Sequence, residues 1–301
     1  MAYTGRFAPS PTGWLHFGSL LAAAASYLQA RCQQGRWLLR IEDLDKPREQ
    51  AGASQHIIQI LAAYGFCWDA PLIFQSQRLE AYSAALHHLQ ADTYPCTCSR
   101  KQLAESAIQG AYGPVYPGTC RQQTATQLRH ALRVRTPEHS VCFQDKVQGL
   151  FCQNLAKDCG DFVIRRADQL FAYQLAVVVD DAWQGVTEVV RGSDLLDNTP
   201  RQLYLQKLLG LPHPSYAHIP VIVNTQGQKL SKQTRAPALS TDTASILHNL
   251  CTALAFLGQN PPAATDFSSV QACWDWAIGH WEIRNIPRVM ACTGQAAGQI
   301  A

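Results

Sequence analysis

Three cysteines lie close together in the middle of the chain. Cys96 and Cys98 are one residue apart, and Cys120 follows a segment rich in Gly, Pro and Tyr. Such a group could form a disulfide, bind a metal ion or be a coincidence. The chain has 11 cysteines, and an odd number does not allow a fully paired disulfide framework. With no secretory signal expected, a reducing cytoplasm is the predicted environment, which favours a metal site.

A second group of residues lies near the N-terminus, in the stretch SPTGWLHFGS. A predicted short strand runs into a Pro/Gly turn, and His16 and Ser19 stand at the opening of a predicted helix. Helix N-termini bind phosphate because they present unpaired N–H groups and a partial positive charge. Gly18 would let a flat ring approach the backbone closely. A capped helix with an incidental histidine is the alternative interpretation of this stretch.

A third group is the stretch QKLSK, in which Lys229 and Lys232 flank a small residue after a predicted strand. Mobile lysines suit the negative charge that develops on a transferring phosphoryl group. Short basic loops are common and are usually solvated, so this stretch indicates little by itself.

These residues need a scaffold, and the pattern around them predicts one. Strands predicted at TGRF and RWLLRIEDLD alternate with helices predicted at 14–35 and 48–66, which indicates a parallel sheet with crossovers. Residues 71–165 interrupt this alternation and are interpreted as an insertion. The β-branched residues of 170–192 predict strands again. A further helix follows, with Thr199 as its cap and Gly210 at its end.

Composition narrows the class of protein. Of the 301 residues, 47% are hydrophobic and 16% charged, which argues against a disordered chain. The net charge of +3 permits an anionic partner without requiring one. No stretch of apolar residues is long enough to span a membrane. The apolar stretch SLLAAAASYLQA is interpreted as a buried helix, because a Pro- and Gly-containing turn with one leading arginine does not suit a signal peptide.

The two phosphate-type stretches together resemble the signature motifs of class I aminoacyl-tRNA synthetases. The first matches His-x-Gly-His with Ser19 in the last place, and the second matches Lys-Met-Ser-Lys-Ser with Leu230 and Gln233 replacing Met and the last Ser. The stretches RFAPSPTGWLHFGS, LRIEDLD, VVRGSDLLDNTPRQLYL and HIPVIVNTQGQKLSK resemble the glutamyl branch of that class. This resemblance covers Arg6 to about Arg235. It implies an α/β fold of the class I type, with a Rossmann-type doubly wound parallel sheet, a zinc-containing insertion and a C-terminal helical region.

The same resemblance implies a division of the chain. The expected parts are the first half of the catalytic domain at 1–75, the insertion at 76–165, the second half of the catalytic domain with the lysine loop at 166–240, and a helical region at 241–301. About 65 residues follow the lysine loop, too few for a further domain of usual size, so no anticodon-binding domain is expected.

A shortened branch of the glutamyl family carries this pattern, including Ser in place of the last His. Resemblance to it implies activation of L-glutamate with ATP and Mg²⁺ without tRNA, then transfer of glutamate to queuosine at the wobble position of tRNA(Asp). A cytoplasmic monomer is expected. The alternatives are a truncated glutamyl-tRNA synthetase that charges tRNA(Glu), a small-molecule nucleotidylyltransferase, and a non-catalytic RNA- or zinc-binding protein.

The resemblance also implies site residues. Those assigned to catalysis are His16, Ser19 and Lys232; those assigned to ATP are His16, Gly18, Ser19, Lys229, Ser231 and Lys232; those assigned to glutamate are Arg6, Ala8, Ser10, Glu42, Tyr173 and Arg191. The chemistry agrees, because arginines match the two carboxylates of glutamate and an acidic side chain can pair with its ammonium group. Each charged residue taken singly would be better interpreted as a surface ion pair.

For the cysteine group, the resemblance implies a structural zinc ion. The implied ligands are Cys96, Cys98, Tyr116 and Cys120, a closed four-ligand set. Tyr112 or a water molecule remains an alternative for the fourth position. The other cysteines of the insertion, Cys142, Cys152 and Cys159, are predicted to pack in the core.

Overall fold

The computed structural model describes residues 2–122, 129–224 and 238–293. The α-helices in these ranges are α1 Phe17–Cys32, α2 Ala53–Ala63, α3 Leu79–His88, α4 Arg100–Ser106, α5 Leu155–Asp158, α6 Tyr173–Trp183, α7 Thr199–Leu208, α8 Thr243–Phe256 and α9 Val270–His280. The strands are β1 Thr4–Phe7, β2 Arg36–Ile41, β3 Ile73–Phe74, β4 Thr93–Cys96, β5 Ile108–Gly110, β6 Gly113–Val115, β7 Ala131–Val134, β8 Ser140–Asp145, β9 Gly149–Asn154, β10 Phe162–Arg165, β11 Glu188–Gly192, β12 Ser215–Ile219, β13 Val221–Val223 and β14 Ala291–Thr293.

The central sheet has two halves of the same construction. In the first, β1, β2 and β3 are parallel, with α1 and α2 as crossovers. In the second, β11 and β12 are parallel around α7. The halves meet where β11 lies against β1, and the backbone N–H of Thr187 donates to the carbonyl of Thr4 at 2.9 Å. The predicted α/β fold with a parallel sheet is therefore confirmed, and its direction of winding reverses between β1 and β11.

Burial explains why these segments form a sheet covered on both faces. Four of the six residues of strand β2 are apolar, and Trp37, Leu39 and Ile41 are buried, as expected for a central parallel strand. The C-terminal helices α8 and α9 pack against α1, and α9 also contacts the end of α2. There the indole N–H of Trp274 donates to the carbonyl of Tyr64, at 2.8 Å. None of the helices in the described ranges is long and apolar enough to cross a membrane.

The middle of the chain contributes to two sheets. Strands β4, β7 and β10 form an antiparallel sheet of their own, next to the β5–β6 hairpin. The β8–β9 hairpin lies in the same stretch of sequence but extends the central sheet, because Asp145 of β8 pairs with Tyr216 of β12. Residues of the predicted insertion therefore reach the edge of the central sheet.

The strand prediction for 170–192 is wrong in its first half. Residues Tyr173–Trp183 form α6, and only Glu188–Gly192 form a strand. The run of valines favours a strand locally, but Leu175 and Val178 of the helix pack in a core cluster with residues of β7, β10 and α7. Tyr173 is therefore the first residue of a helix and not part of a strand. The cap of α7 also differs, because Asn198 occupies the N-cap position and Thr199 is already helical.

The prediction that Cys142 and Cys152 pack in the core is also wrong. They lie directly opposite each other on β8 and β9, on the exposed face of the hairpin, and form a disulfide. The alternation of a strand explains the exposure, since Phe143 and Phe151 occupy the other face. Cys159 does pack against the cluster that contains Leu175, as predicted.

Candidate functional site

A cleft of about 520 Å³ opens at the carboxyl ends of the central strands. Every described residue that was predicted for ATP or glutamate lines it: Arg6, Ala8, Ser10, His16, Gly18, Ser19, Glu42, Tyr173 and Arg191. This edge is where doubly wound sheets bind their ligands, and the volume suits a small molecule. The remaining predicted residues, Lys229, Ser231 and Lys232, lie outside the described residues.

One side of the cleft is the opening of α1. His16 is the N-cap residue, and its Nδ1 accepts a hydrogen bond from the backbone N–H of Ser19 at 3.4 Å. The hydroxyl of Ser19 lies 3.3 Å from Nε2 of the same ring. Gly18 lines the cleft between them. The first turn of α1 therefore presents a histidine, a hydroxyl and helix N–H groups, which together can bind phosphate oxygens.

Arg191 forms another side of the cleft, and the residue is only 5% exposed. Nη1 donates to the hydroxyl of Tyr173 at 3.1 Å, and Nη2 donates to the hydroxyl of Thr199 at 2.8 Å. Nε donates to Nε2 of His218 at 3.0 Å. The contacts of Thr199, which was predicted only as a helix cap, and of His218 were not predicted from the sequence, although both residues lie in stretches that carry the resemblance. A buried arginine needs hydrogen-bond partners, so the need to find partners for Arg191 is the feature that could have pointed to Thr199 and His218.

Arg6 is the second cationic side chain of the cleft. Its Nε donates to Asp181 at 3.2 Å, and Asp181 also accepts from Nη2 of the fully buried Arg40 at 2.8 Å. Burial raises the pKa of Asp181, but the two arginines outweigh it and hold the pKa below its usual range. Asp181 is therefore ionised, and it fixes Arg6 from the side away from the cleft.

Glu42 is the acidic group of the cleft and directly follows β2. Its backbone N–H donates to the carbonyl of Pro9 at 3.0 Å, which ties the end of β2 to the turn after β1. Burial raises the pKa of Glu42 to about 7, and the nearby Arg40 and Arg6 offset only part of this effect. The carboxyl group is thus poised between its neutral and ionised forms, and a ligand ammonium group would favour the ionised form.

The cysteine group is a compact cluster in the structure. The sulfur atoms of Cys96, Cys98 and Cys120 all lie within 4.8 Å of one another, and Cys98 and Cys120 are 3.4 Å apart. The hydroxyl of Tyr116 lies 3.5 Å from Cys96 Sγ and 3.8 Å from Cys98 Sγ. Ligands of one tetrahedral Zn²⁺ at about 2.3 Å lie about 3.8 Å apart, so the four side chains fit this metal.

Tyr116 is held in place from several sides. The backbone N–H of Cys120 donates to its hydroxyl oxygen at 2.9 Å, and the guanidinium of Arg133 lies over its ring at 3.7 Å. Gly160 packs against its backbone so closely that a Cβ there would lie 2.3 Å from the Tyr116 carbonyl oxygen. By contrast, Tyr112 is 47% exposed and packs on Phe151, so it does not belong to the cluster.

Comparison with known proteins agrees with this geometry. Residues 3–267 match the family described as tRNA synthetases class I (E and Q), catalytic domain. The chain belongs to this family of class I synthetases.

Within it, the chain is similar to proteins named Glutamyl-Q tRNA(Asp) synthetase. The one from Pseudomonas fluorescens is 53% identical over 292 residues, which cover 96% of this chain and 95% of that protein. The one from Ectopseudomonas mendocina is 54% identical over 289 residues, covering 95% and 96% respectively.

Solved structures support the fold. A glutamate-tRNA synthetase from Elizabethkingia anophelis superposes with a TM-score of 0.80 at 21% identity, covering 99% of this chain and 69% of that one. A glutamate tRNA ligase from Elizabethkingia meningosepticum gives the same TM-score and identity, with 68% of that chain covered.

Proposed function

We propose that this protein activates L-glutamate with ATP, without tRNA, and transfers the glutamyl group to queuosine at the wobble position of tRNA(Asp). One observation carries the proposal. A single cleft combines two buried arginines, one buried carboxyl group and the opening of α1, all in a chain 53% identical to a Glutamyl-Q tRNA(Asp) synthetase.

The glutamate site would use Arg6, Arg191 and Glu42. Glutamate brings two carboxylates and one ammonium, so two cations and one anion complement its charges. Tyr173 would add a hydroxyl beside Arg191, and Ala8 and Ser10 would shape the wall that follows β1. Because the cations are buried and fixed by other side chains, little ordering is required when glutamate binds.

Adenylation would take place at the opening of α1. An oxygen of the glutamate α-carboxylate attacks the α-phosphorus of ATP, the bond to the bridging oxygen breaks, and pyrophosphate leaves with the electron pair. His16, Ser19 and the α1 N–H groups would bind the phosphate oxygens of ATP, which enters with Mg²⁺. From the resemblance, Lys232 would stabilise the leaving charge, with Lys229 and Ser231 beside it.

The cysteine cluster would hold one structural Zn²⁺. Cys96, Cys98 and Cys120 offer thiolates and Tyr116 an oxygen, which leaves no open position for a reacting group. We propose that the chain is divided as the resemblance implies. The metal would stabilise the fold of the middle segment, 76–165. The protein is proposed to act as a monomer in the cytoplasm.

Two assays test the function. Glutamate-dependent exchange of pyrophosphate into ATP should proceed without any tRNA, which a non-catalytic scaffold cannot support. Labelled glutamate should then be attached to tRNA(Asp) that contains queuosine and not to tRNA(Asp) that lacks it. Attachment to tRNA(Glu) would instead favour the truncated glutamyl-tRNA synthetase, and nucleotidyl transfer without glutamate would favour a small-molecule nucleotidylyltransferase.

A further inference from the structure

We infer that His218 and Asp145 are positioning residues for Arg191, which they hold in one orientation for a ligand carboxylate. The assignment of that ligand as glutamate rests on the proposed function. Neither residue lines the cleft, and both are buried behind it, with exposures of 0% and 1%. Their effect on the ligand therefore passes through the guanidinium of Arg191.

The hydrogen bonds of Arg191 leave it little freedom. A guanidinium has five N–H groups. Its Nε–H is directed to His218, one N–H of Nη1 to Tyr173, and the N–H groups of Nη2 to Thr199 and to the carbonyl of Leu195 at 3.4 Å. Among the described residues, this accounting leaves one N–H, on Nη1. Because Tyr173 accepts from Arg191, its own O–H proton can be donated to the ligand as well.

The ring of His218 must be neutral in this arrangement. The Nε–H of Arg191 can only donate, so Nε2 of His218 must carry a lone pair and its proton must sit on Nδ1. Nδ1 lies 2.6 Å from Oδ2 of Asp145, and it donates there. A protonated ring would direct a second N–H at the arginine. Burial lowers the pKa of His218 to about 4, so the ring is neutral across the physiological range.

Asp145 is a fixed anchor for this ring. Its Oδ1 accepts from the backbone N–H groups of Val147, Gln148 and His218 at 2.9, 2.8 and 3.1 Å. Its Oδ2 is left for the imidazole. A carboxylate with this many backbone donors cannot rotate without losing several hydrogen bonds, so it fixes both the tautomer and the plane of the ring.

The Thr199 hydroxyl, which accepts from Nη2 of Arg191, also lies 3.2 Å from Nε2 of His218, so it joins the ring to the same network. His218 packs against Phe143 and Tyr216, whose ring centroids both lie 6.1 Å away. The charged groups that act on it are Asp145, Arg191 and Asp194. Asp145, His218 and Arg191 are thus joined by a buried series of hydrogen bonds. At the cleft, this series ends in two donors, an arginine N–H and the Tyr173 hydroxyl. Two donors suit a carboxylate, which only accepts.

The test compares two substitutions of His218 in the glutamate-dependent pyrophosphate exchange assay. His218→Phe keeps a flat ring but removes the acceptor, whereas His218→Gln places an amide oxygen near the position of Nε2. We expect the KM for glutamate to rise about tenfold or more in the Phe variant and less in the Gln variant, with the KM for ATP unchanged. An unchanged KM for glutamate in a folded Phe variant, or equal increases for both substrates, would overturn the inference.

A second measurement covers the case in which the Phe variant does not fold. In ¹⁵N-histidine-labelled wild-type protein near pH 7, the nitrogen shifts of His218 should report an unprotonated Nε2 and a protonated Nδ1, with His218→Gln used for assignment. A protonated Nε2 overturns the inference, because that nitrogen could not accept from Arg191. This result does not depend on activity. A wild-type protein without glutamate-dependent exchange would refute the proposed function, and the nitrogen shifts would still decide the role of His218.

Discussion

Arg6 and Asp181 form a buried ion pair at 3.2 Å, although 175 positions separate them in the sequence. The pair joins β1 to α6 behind the cleft. Asp181 also binds Arg40, which has further contacts with Glu42 and Asp180, so this carboxylate is shared by two buried guanidinium groups. The orientation of Arg6 toward the cleft therefore depends on a residue that does not line it.

This arrangement predicts the effect of Asp181→Asn. The substitution keeps the shape of the side chain but removes the charge, so the buried Arg6 loses its paired carboxylate and Arg40 retains only Glu42 and Asp180. The free energy of unfolding should therefore fall by about 3 kcal/mol. Urea denaturation followed by circular dichroism measures the change. The matched control is Asp168→Asn, which removes a surface pair with Arg166 and should cost less than about 1 kcal/mol. Equal losses in the two variants would contradict the prediction.

The raised pKa of Glu42 predicts a pH dependence of glutamate binding. Pairing with the ligand ammonium requires the carboxylate, so the KM for glutamate should fall as the pH rises from about 6 to 8, with the midpoint near the pKa of about 7. The pyrophosphate exchange assay over this range measures it. In Glu42→Gln the KM should be high and nearly independent of pH. A pH dependence that persists unchanged in this variant would assign it to another group.

The same group has the opposite effect on folding. Between the usual pKa of a glutamate and about 7, the native state keeps the proton on Glu42 that the unfolded state releases. The native state therefore binds more protons in this window, and the contribution of Glu42 to stability decreases as the pH rises through it. Binding of the ammonium group offsets this cost, so glutamate should protect the protein from thermal unfolding more at pH 8 than at pH 6.

The sequence predicted the fold of the sheet from short-range patterns, and it placed His16, Glu42 and Arg191 correctly at the strand ends and helix opening. It could not place Thr199, His218 or Asp181, because these residues act through partners that are distant in sequence. The valines of α6 illustrate the same limit. A local β-branched run favoured a strand, but the segment is a helix whose Leu175 and Val178 are buried against residues of β7, β10 and α7, which are distant in sequence.

For the cysteine cluster, Cys98→Ser should reduce the zinc content of the purified protein from one equivalent to a small fraction. A serine hydroxyl is a far weaker ligand for this metal than a thiolate. Mass spectrometry of the metal content, with protein concentration measured independently, gives the ratio. Cys67→Ser is the control, because Cys67 is an exposed free cysteine outside the cluster. Stoichiometric zinc in the Cys98 variant would show that the ligand set is wrong.

Lys232, in the stretch QKLSK, is proposed to stabilise the charge on the leaving pyrophosphate. Lys232→Ala should abolish glutamate-dependent pyrophosphate exchange, with a loss of about 100-fold or more, because the leaving charge loses a cation. The far-ultraviolet circular dichroism should not change. Lys207→Ala, at an exposed position on α7 away from the cleft, should retain full activity. Exchange at the wild-type rate in the Lys232 variant would remove this residue from the proposed mechanism.

The close approach of Gly160 to Tyr116 predicts that a side chain at position 160 disturbs the cysteine cluster. Gly160 has a φ of +66°, and a Cβ there would lie 2.3 Å from the carbonyl oxygen of Tyr116. In Gly160→Ala the backbone of Tyr116 must shift, so its hydroxyl should leave the cysteine cluster and zinc should be bound more weakly.

Gly185 has a similar φ of +68°, but a Cβ at that position would meet no atom within 4 Å. Gly185→Ala therefore carries the same backbone strain, about 1 kcal/mol, without the collision. Competition with a chelator measures the zinc affinity of both variants. Only the Gly160 variant should lose zinc more readily than the wild type, and similar affinities in the two variants would mean that the contact with Tyr116 does not support the metal site.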